Sequence, residues 1–171
     1  EEIRAIAEKN GFFNADKPDS QDICFVTNGD YGDFLEKFRG KPYPEGHFVD
    51  ESGQKLGKHR GIVRYTIGQR KGLGLALKEP MYVVGKDLGK NQVILSTKEG
   101  LNSEGLLAYD FNWISMDPPK AEYPVTAKTR YNAKPVPAFV SFEEDGTVKV
   151  RFEKPERAVA PGQAVVLYDG D

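Results

Sequence analysis

The sequence is poor in the residues that build metal and disulfide sites. It contains one cysteine, Cys24, and two histidines, His47 and His59, and it has no Cys-x-x-Cys pair. A single cysteine excludes an internal disulfide, and this set is too small for the sites that structural zinc prefers. We therefore predict no protein-bound metal. The cysteine usage also favours a reducing compartment, so we expect a cytoplasmic location.

Long apolar runs are absent as well. No stretch approaches the length of a membrane-spanning helix and no signal-peptide pattern is present, so we expect no membrane partner. With 39% hydrophobic residues in 171 positions, the chain can still bury a core. Its 18 glycines and 11 prolines favour short strands and turns over a helical bundle, and two small domains fit this length best.

Acidic residues are missing from one long segment. Ser52–Lys78 contains seven lysines and arginines and no carboxylate, although the whole chain has a net charge of -2. A local basic patch can bind phosphate on an acidic protein, whereas a generic charge run is often a solvated face. Interleaved glycines, Tyr65 and Gln69 favour contact with an RNA backbone. The candidate residues are Lys58, Arg60, Arg70 and Lys71.

The glycines of this segment do not form a nucleotide-binding motif. Gly68-x-x-x-Gly72-x-Gly74 lacks the spacing of a P-loop and the order of a dinucleotide fingerprint. We expect no nucleotide there. Glycines at these positions either allow close approach of an RNA strand or simply form a flexible turn.

Helix and strand patterns divide the chain. An amphipathic helix opens it and ends at Asn10-Gly11, a short strand is expected at Ile23–Val26, and Asp30 can cap a helix that ends at Gly40. A small sheet with one helix should follow. Its predicted strands are Gly61–Thr66, Met81–Val84 and Val93–Leu95.

After Gly100 helical periodicity disappears. Asp145-Gly146 lies between two alternating runs and predicts a hairpin, with Val148, Val150 and Phe152 on one face. Five or six short antiparallel strands favour a barrel. The predicted strands are Leu106–Trp113, Pro124–Tyr131, Val136–Phe142, Thr147–Phe152 and Ala164–Tyr168.

Cys24 admits three interpretations from its surroundings. A thiol is reactive as thiolate, and the acidic segment around Cys24 does not by itself lower the thiol pKa. The residue is then a buried structural thiol, or a nucleophile activated elsewhere in the fold. A hydrolytic pair with His47 or His59 is the rival enzyme interpretation, but no cysteine-protease signature surrounds Cys24.

Several ordered motifs resemble the tRNA-specific 2-thiouridylase family. Four or more such motifs in one order across nearly the whole chain are far more specific than any one alone. The motifs are Asp19-Ser-Gln-Asp-Ile-Cys-Phe-Val26, Asp30-Tyr31-x-x-Phe34-Leu35, Gly53-x-x-x-Gly57-x-His59-x-Gly61, Tyr65-Thr-Ile-Gly-Gln-Arg-Lys-Gly-Leu-Gly74, Pro80-Met-Tyr-Val-Val84, Asn91-x-Val-Ile-Leu95, Lys128-x-Arg-Tyr131 and Ala160-Pro-Gly-Gln163.

The resemblance implies an enzyme that replaces the 2-oxygen of the wobble uridine of tRNA with sulfur, using ATP and a protein persulfide. It implies that Cys24 carries the persulfide and that Arg130, Tyr131 and Gln163 contact tRNA. Each tRNA contact has a simpler interpretation as an ordinary strand-end or turn residue. The implied partners are tRNA and a sulfur-donor protein, and the implied location is the bacterial cytoplasm, or the mitochondrion in a eukaryote.

The family also has an N-terminal ATP-pyrophosphatase domain with a Ser-Gly-Gly-x-Asp-Ser loop and a first catalytic cysteine, which forms a disulfide with the persulfide cysteine. Neither feature occurs in this sequence. We therefore expect a C-terminal fragment that is inactive alone, that binds no cofactor and whose ATP and Mg lie in the missing domain. A further glycine-rich strand is expected after Asp171, so the barrel can lack its closing element.

These expectations combine into one domain scheme. Residues 1–27 are the end of the catalytic domain with the cysteine segment, residues 28–98 a central tRNA-recognition domain, and residues 99–171 a C-terminal β-barrel domain. The predicted fold class is mainly β with minor α: a small α+β domain followed by an antiparallel barrel resembling those of translation factors. The competing function is a non-catalytic RNA-binding module built from the same domains.

Overall fold

A computed structural model describes residues 2–13, 15–16, 26 and 30–170. The chain divides into two compact units, Glu1–Pro42 and Tyr43–Asp171. The described part of the first unit contains two helices, and the second unit contains both β-sheets. Cys24 and most of the strand predicted at Ile23–Val26 lie outside the described residues.

The two helices of the first unit begin and end close to where the sequence predicts. Helix α1 is Glu2–Lys9, and helix α2 is Tyr31–Arg39. Asp30 caps α2 by accepting a hydrogen bond from the Asp33 backbone N–H at 3.0 Å. Gly40 ends α2 with φ 73°, a left-handed conformation that glycine adopts without strain.

The first sheet has four strands in the order β2-β1-β4-β3. The central pair β1–β4 is parallel, and the two outer pairs are antiparallel. Its buried core includes Phe48, Val83, Val93 and Leu95. The strands are β1 Gly46–Asp50, β2 Lys55–His59, β3 Tyr82–Asp87 and β4 Gln92–Ser96.

The prediction of a strand at Gly61–Thr66 was wrong. Ile62–Arg64 forms a short 3-10 helix instead. Gly61 has φ 112°, which interrupts the extended backbone, and the apolar residues Ile62 and Tyr65 are buried in the core without belonging to the sheet. Strands β1 and β2 were not predicted, since β2 is a polar edge strand whose pairing depends on β1.

The second sheet has five antiparallel strands in the order β5-β8-β7-β6-β9. The predicted hairpin is confirmed: Gly146 has φ 87°, and the Glu143 N–H donates to the Thr147 carbonyl at 2.9 Å. The alternating face of Val148, Val150 and Phe152 is buried, as expected. The strands are β5 Asn102–Ala108, β6 Tyr123–Lys128, β7 Val136–Phe142, β8 Val148–Arg157 and β9 Val166–Tyr168.

The mainly β fold class is confirmed, with 35% of the described residues in strands and 15% in helices. Within the described residues no pairing joins the edge strands β5 and β9, so the second sheet is not a closed barrel there. A groove of about 940 Å³, lined by residues of both edges, lies between them. Strand β5 ends at Ala108 rather than at Trp113, and Asp110 has φ 52°, outside the extended region.

Candidate nucleic-acid interface

The loop Thr66–Gly74 presents two of the predicted basic residues beside strand β3. The Gly68 N–H donates to the Val83 carbonyl at 2.8 Å, and the Val83 N–H donates to the Gln69 carbonyl at 2.9 Å. Leu73 is buried in the core of the first sheet. The loop is therefore attached at both ends, while Arg70 and Lys71 between these attachments are exposed.

The side chain of Gln69 is used inside this loop. Its Oε1 accepts a hydrogen bond from the Thr66 N–H at 3.0 Å, and its Nε2 donates to the Lys71 carbonyl at 3.0 Å. Both ends of the amide are thus engaged with backbone groups of the loop. Gln69 shapes the loop rather than extending an amide toward a ligand.

Arg130, two residues after β6 of the second sheet, lies near the same loop. A Cβ added at Gly68, which has φ 88°, would lie 3.2 Å from the Ala158 Cβ and 3.8 Å from the Arg130 Nη2. That Nη2 also donates to the Ala158 carbonyl. Ala158 donates its own N–H to the Leu101 carbonyl at 2.8 Å. The structure thus brings the predicted residue Arg130 next to the basic loop.

The place where Arg130 and Ala158 lie near Gly68 is here called the junction. Tyr131 is the most exposed aromatic ring beside it. It is 91% exposed, and the Lys128 Nζ lies 5.7 Å from its ring centroid. A turn closed by the Ala133 N–H and the Arg130 carbonyl at 3.1 Å follows β6 and holds both residues at the surface. A free aromatic face beside a cation suits stacking on an unpaired base.

Gln163 is exposed and lines the groove between β5 and β9, together with Thr129. Thr129 directly precedes Arg130, so the groove begins beside the Arg130–Tyr131 turn. The structure places Gln163 at the rim of the second sheet.

Lys58 and Arg60 lie at the other side of the first sheet. Lys58 belongs to β2, the edge strand opposite β3, and Arg60 follows it directly. The Lys58 Nζ is 3.9 Å from a carboxylate oxygen of Glu45, and both side chains are largely exposed, so this ion pair contributes little to stability. The basic stretch therefore divides into two groups, and Arg70 and Lys71 are the ones beside Arg130.

His59 is a buried structural residue. Its Nδ1 accepts a hydrogen bond from the Gly61 N–H at 3.2 Å, so the proton of the neutral ring is on Nε2, which donates to the Asn91 carbonyl at 3.2 Å. Burial lowers the pKa of His59 below its ordinary value of 6.5. With both nitrogens engaged, this ring is not available as the base of a Cys–His pair; Cys24 itself is outside the described residues.

Two features of the junction carried no sequence signal. Ala158 accepts from Arg130 by its carbonyl and has φ 56°, which no side-chain pattern announces. The Arg157 guanidinium lies 5.4 Å from the centroid of the Tyr82 ring, which joins the second sheet to the first. Only adjacency to the Ala160-Pro-Gly-Gln163 motif could have drawn attention to these residues.

Two absences concern the part of the chain that the structure describes. In that part of the chain no helix has the length and apolar character needed to cross a membrane. The same residues include no group of three or more His, Cys, Asp or Glu side chains positioned to hold a metal ion.

Family models match three successive segments of the chain. Residues 1–28 match a model described as the tRNA methyl transferase HUP domain. Residues 32–97 match the tRNA methyl transferase PRC-barrel domain, and residues 103–171 match the aminomethyltransferase beta-barrel domain. The second match contains the first sheet, and the third contains the second sheet except for Asn102 at the start of β5.

Curated relatives match over the same length. The tRNA-specific 2-thiouridylase MnmA of Acetivibrio thermocellus is 52% identical over 100% of this chain and 48% of its own length. MnmA 1 of Thermoanaerobacter sp. is 47% identical over 100% of this chain and 47% of its own. MnmA of Clostridioides difficile is 45% identical over 99% of this chain and 47% of its own. The chain spans about half the length of these relatives, and it belongs to the tRNA-specific 2-thiouridylase family.

Proposed function

We propose that this chain is the tRNA-binding part and the sulfur-carrying cysteine segment of an enzyme that 2-thiolates the wobble uridine of tRNA. Membership of a tRNA-modifying enzyme family supports the substrate class. The structural observation that carries the proposal is the proximity of Arg130 to Gly68, which places the exposed Arg70–Lys71 loop near the exposed Arg130–Tyr131 turn.

The chemistry of this joined surface suits an RNA strand. In the described part of the chain, no carboxylate lies within ion-pair distance of Arg70 or Lys71, so both cations are available for phosphates. Arg130 uses one of its several donors on Ala158 and keeps the others for a ligand. Tyr131 offers an open face to an unstacked base. Phosphate contacts would orient the tRNA, and the aromatic contact would select an unpaired region.

Gln163 extends the proposed surface. Its exposed amide at the rim of the groove between β5 and β9 can donate to and accept from a base or ribose. Lys58 and Arg60, at the opposite edge of the first sheet, would contact phosphates farther along the strand.

Cys24 is proposed as the carrier of sulfur. It would accept a sulfane sulfur from a donor protein, and the outer sulfur of its persulfide would attack C2 of a uridine whose 2-oxygen has been adenylated, with AMP as the leaving group. The thiolate of a second cysteine, outside this sequence, would then attack the Cys24 Sγ, which forms a disulfide between the two cysteines and leaves the transferred sulfur on C2 as 2-thiouridine. The match of residues 1–28 to a family HUP domain supports placing this segment beside a catalytic domain.

The domain scheme is part of the proposal. Residues 1–27 would complete the catalytic domain, residues 28–98 and 99–171 would bind tRNA, and ATP with Mg would bind in the catalytic domain outside this sequence. The chain alone would then have no thiolation activity, and the whole enzyme would work in the bacterial cytoplasm.

A salt titration tests the binding surface. Binding of an unmodified tRNA transcript should weaken steeply with salt in the wild type. The relevant quantity is the slope of the logarithm of the binding constant against the logarithm of the salt concentration. In the double variant Arg70→Ala/Lys71→Ala this log–log slope should be shallower by about 0.7 to 0.9 for each phosphate that the protein no longer neutralises. The matched control is Lys149→Ala/Lys154→Ala, which removes two exposed lysines of β8. Equal slopes and affinities for the loop variant and the wild type would refute the proposed surface.

A further inference from the structure

Besides its attachments to β3 and to the core, the basic loop is held by one side chain of its own, Gln69. Gly68 and Gly72 both have positive φ, 88° and 74°, so the loop passes at these two positions through a conformation that most residues avoid. A loop of this composition would ordinarily sample many shapes. The two hydrogen bonds of Gln69, to Thr66 and Lys71, span the turn from the inside and fix one of them.

The two hydrogen bonds that Gln69 makes across the turn, here called the brace, require a glutamine side chain. The Thr66 N–H requires an acceptor and the Lys71 carbonyl requires a donor, and a single amide supplies both. Glutamate would have no donor for Lys71, and asparagine is one methylene too short to reach both groups. A Cβ added at Gly72 would lie 3.8 Å from the Gln69 Nε2, so the amide is near the end of the turn.

We propose that Gln69 is a positioning residue for tRNA binding: it holds Arg70 and Lys71 in the arrangement that meets the phosphates. The inference rests on the proposed function. Ordering a flexible loop on binding costs affinity, and a loop that is already ordered avoids that cost. Gln69 itself touches no phosphate in this arrangement, because its amide is occupied within the loop.

This role predicts a distinctive change in tRNA binding. In Gln69→Met the side-chain length is kept and both hydrogen bonds are removed. The two cations still reach phosphates, but the loop must be ordered first, so affinity should fall about 3- to 10-fold at every salt concentration. The log–log salt slope should stay at the wild-type value, because the number of phosphate contacts is unchanged.

The experiment compares five forms of the chain by titration with an unmodified tRNA transcript at several salt concentrations. Four of them are the wild type, Gln69→Met, Gln69→Asn and Arg70→Ala/Lys71→Ala. Gln54→Met is the matched control, since Gln54 lies in the exposed turn between β1 and β2 and bonds Asp50 through its backbone N–H. Hydrogen exchange of the Thr66 amide reports on the brace without tRNA, and circular dichroism checks folding.

The inference is supported if Gln69→Met and Gln69→Asn lose affinity at unchanged slope and lose protection of the Thr66 amide, while Gln54→Met resembles the wild type. It is overturned if the folded Gln69 variants bind like the wild type, or if their slope falls as in the double variant. If instead Arg70→Ala/Lys71→Ala binds like the wild type, the loop does not contact tRNA, and the proposed surface itself is refuted.

Discussion

Replacement of the buried histidine in the first sheet gives a test with a clear pH signature. His59 is 1% exposed and its ring packs against Phe48 and Tyr65, with ring centroids 5.6 Å apart in both cases. The substitution His59→Phe keeps an aromatic ring among these neighbours. It removes the acceptor for the Gly61 N–H and the donor to the Asn91 carbonyl.

The expected loss of stability in His59→Phe depends on the two backbone groups that lose their hydrogen bond to the imidazole. The Asn91 carbonyl keeps a second donor, the His47 N–H at 3.3 Å, so the cost there is small. Gly61 is buried, and its N–H is deprived of the partner it has in the wild type. An unsatisfied buried donor costs about 1–3 kcal/mol, so we expect the free energy of unfolding to fall by about this amount at neutral pH. The larger phenyl ring adds a packing cost that does not depend on pH.

The pH dependence separates the two contributions. Burial lowers the pKa of His59 below 6.5, so the unfolded chain binds this proton at a higher pH than the folded one. The stability contributed by the neutral ring is complete above pH 6.5 and is lost as the pH falls from 6.5 through the folded-state pKa. His59→Phe has no such group, so its deficit relative to the wild type should shrink over this range.

The assay is urea unfolding followed by circular dichroism, for the wild type and His59→Phe, from about pH 8 to about pH 5.5. His47 is present in both proteins and cancels from the comparison to first order. A deficit that stays constant across this range would refute the buried neutral imidazole. His59→Gln provides a control for ring packing. It removes the ionisable imidazole without introducing a phenyl ring, so its deficit relative to the wild type should show the same pH trend.

Three further outcomes are expected. Gly46→Ala places a Cβ against the Asn91 carbonyl oxygen and the His59 ring, so it should lower the free energy of unfolding, measured by urea titration, by about 1–3 kcal/mol. In the control Gly89→Ala the added Cβ makes only an ordinary van der Waals contact, and the free energy of unfolding should change by less than about 0.5 kcal/mol. Cys24→Ser in a full-length enzyme should abolish 2-thiouridine formation, measured by mass spectrometry of digested tRNA, with tRNA affinity nearly unchanged; normal thiolation would make Cys24 a structural thiol. The 171-residue chain alone should form no 2-thiouridine with ATP and sulfide, and any product would contradict the placement of the chemistry in another domain.

Local signals in the sequence were sufficient for several elements. The Asp30 cap and the Gly40 stop define α2, and the Asp145-Gly146 turn defines the β7–β8 hairpin, because each depends on residues close together in the chain. The segment without carboxylates is visible directly in the sequence. The ordered motifs were enough to identify the family.

Local signals of this kind could not predict the pairing of strands that are distant in the chain. Strand β1 pairs in parallel with β4, and this pairing makes the short segments Gly46–Asp50 and Lys55–His59 into strands. The Gly61–Thr66 stretch has an apolar composition that fits a strand equally well, but the φ of Gly61 and burial against Phe48 turn it into a 3-10 helix. Tertiary contacts overrode propensity at these positions.

The sequence by itself determined the composition of the candidate surface: which residues are cationic, which aromatic residue accompanies them, and which family they belong to. Only the tertiary structure decided which of them meet. Arg130 lies against Gly68 because Ala158, far away in the chain, accepts its hydrogen bond, and Lys58 lies at the opposite edge because β2 is an outer strand. The two hydrogen bonds of Gln69 are local in the chain, but the turn that brings the Thr66 and Lys71 backbone groups within its reach is held by the backbone pairing of Gly68 and Gln69 with Val83 of β3.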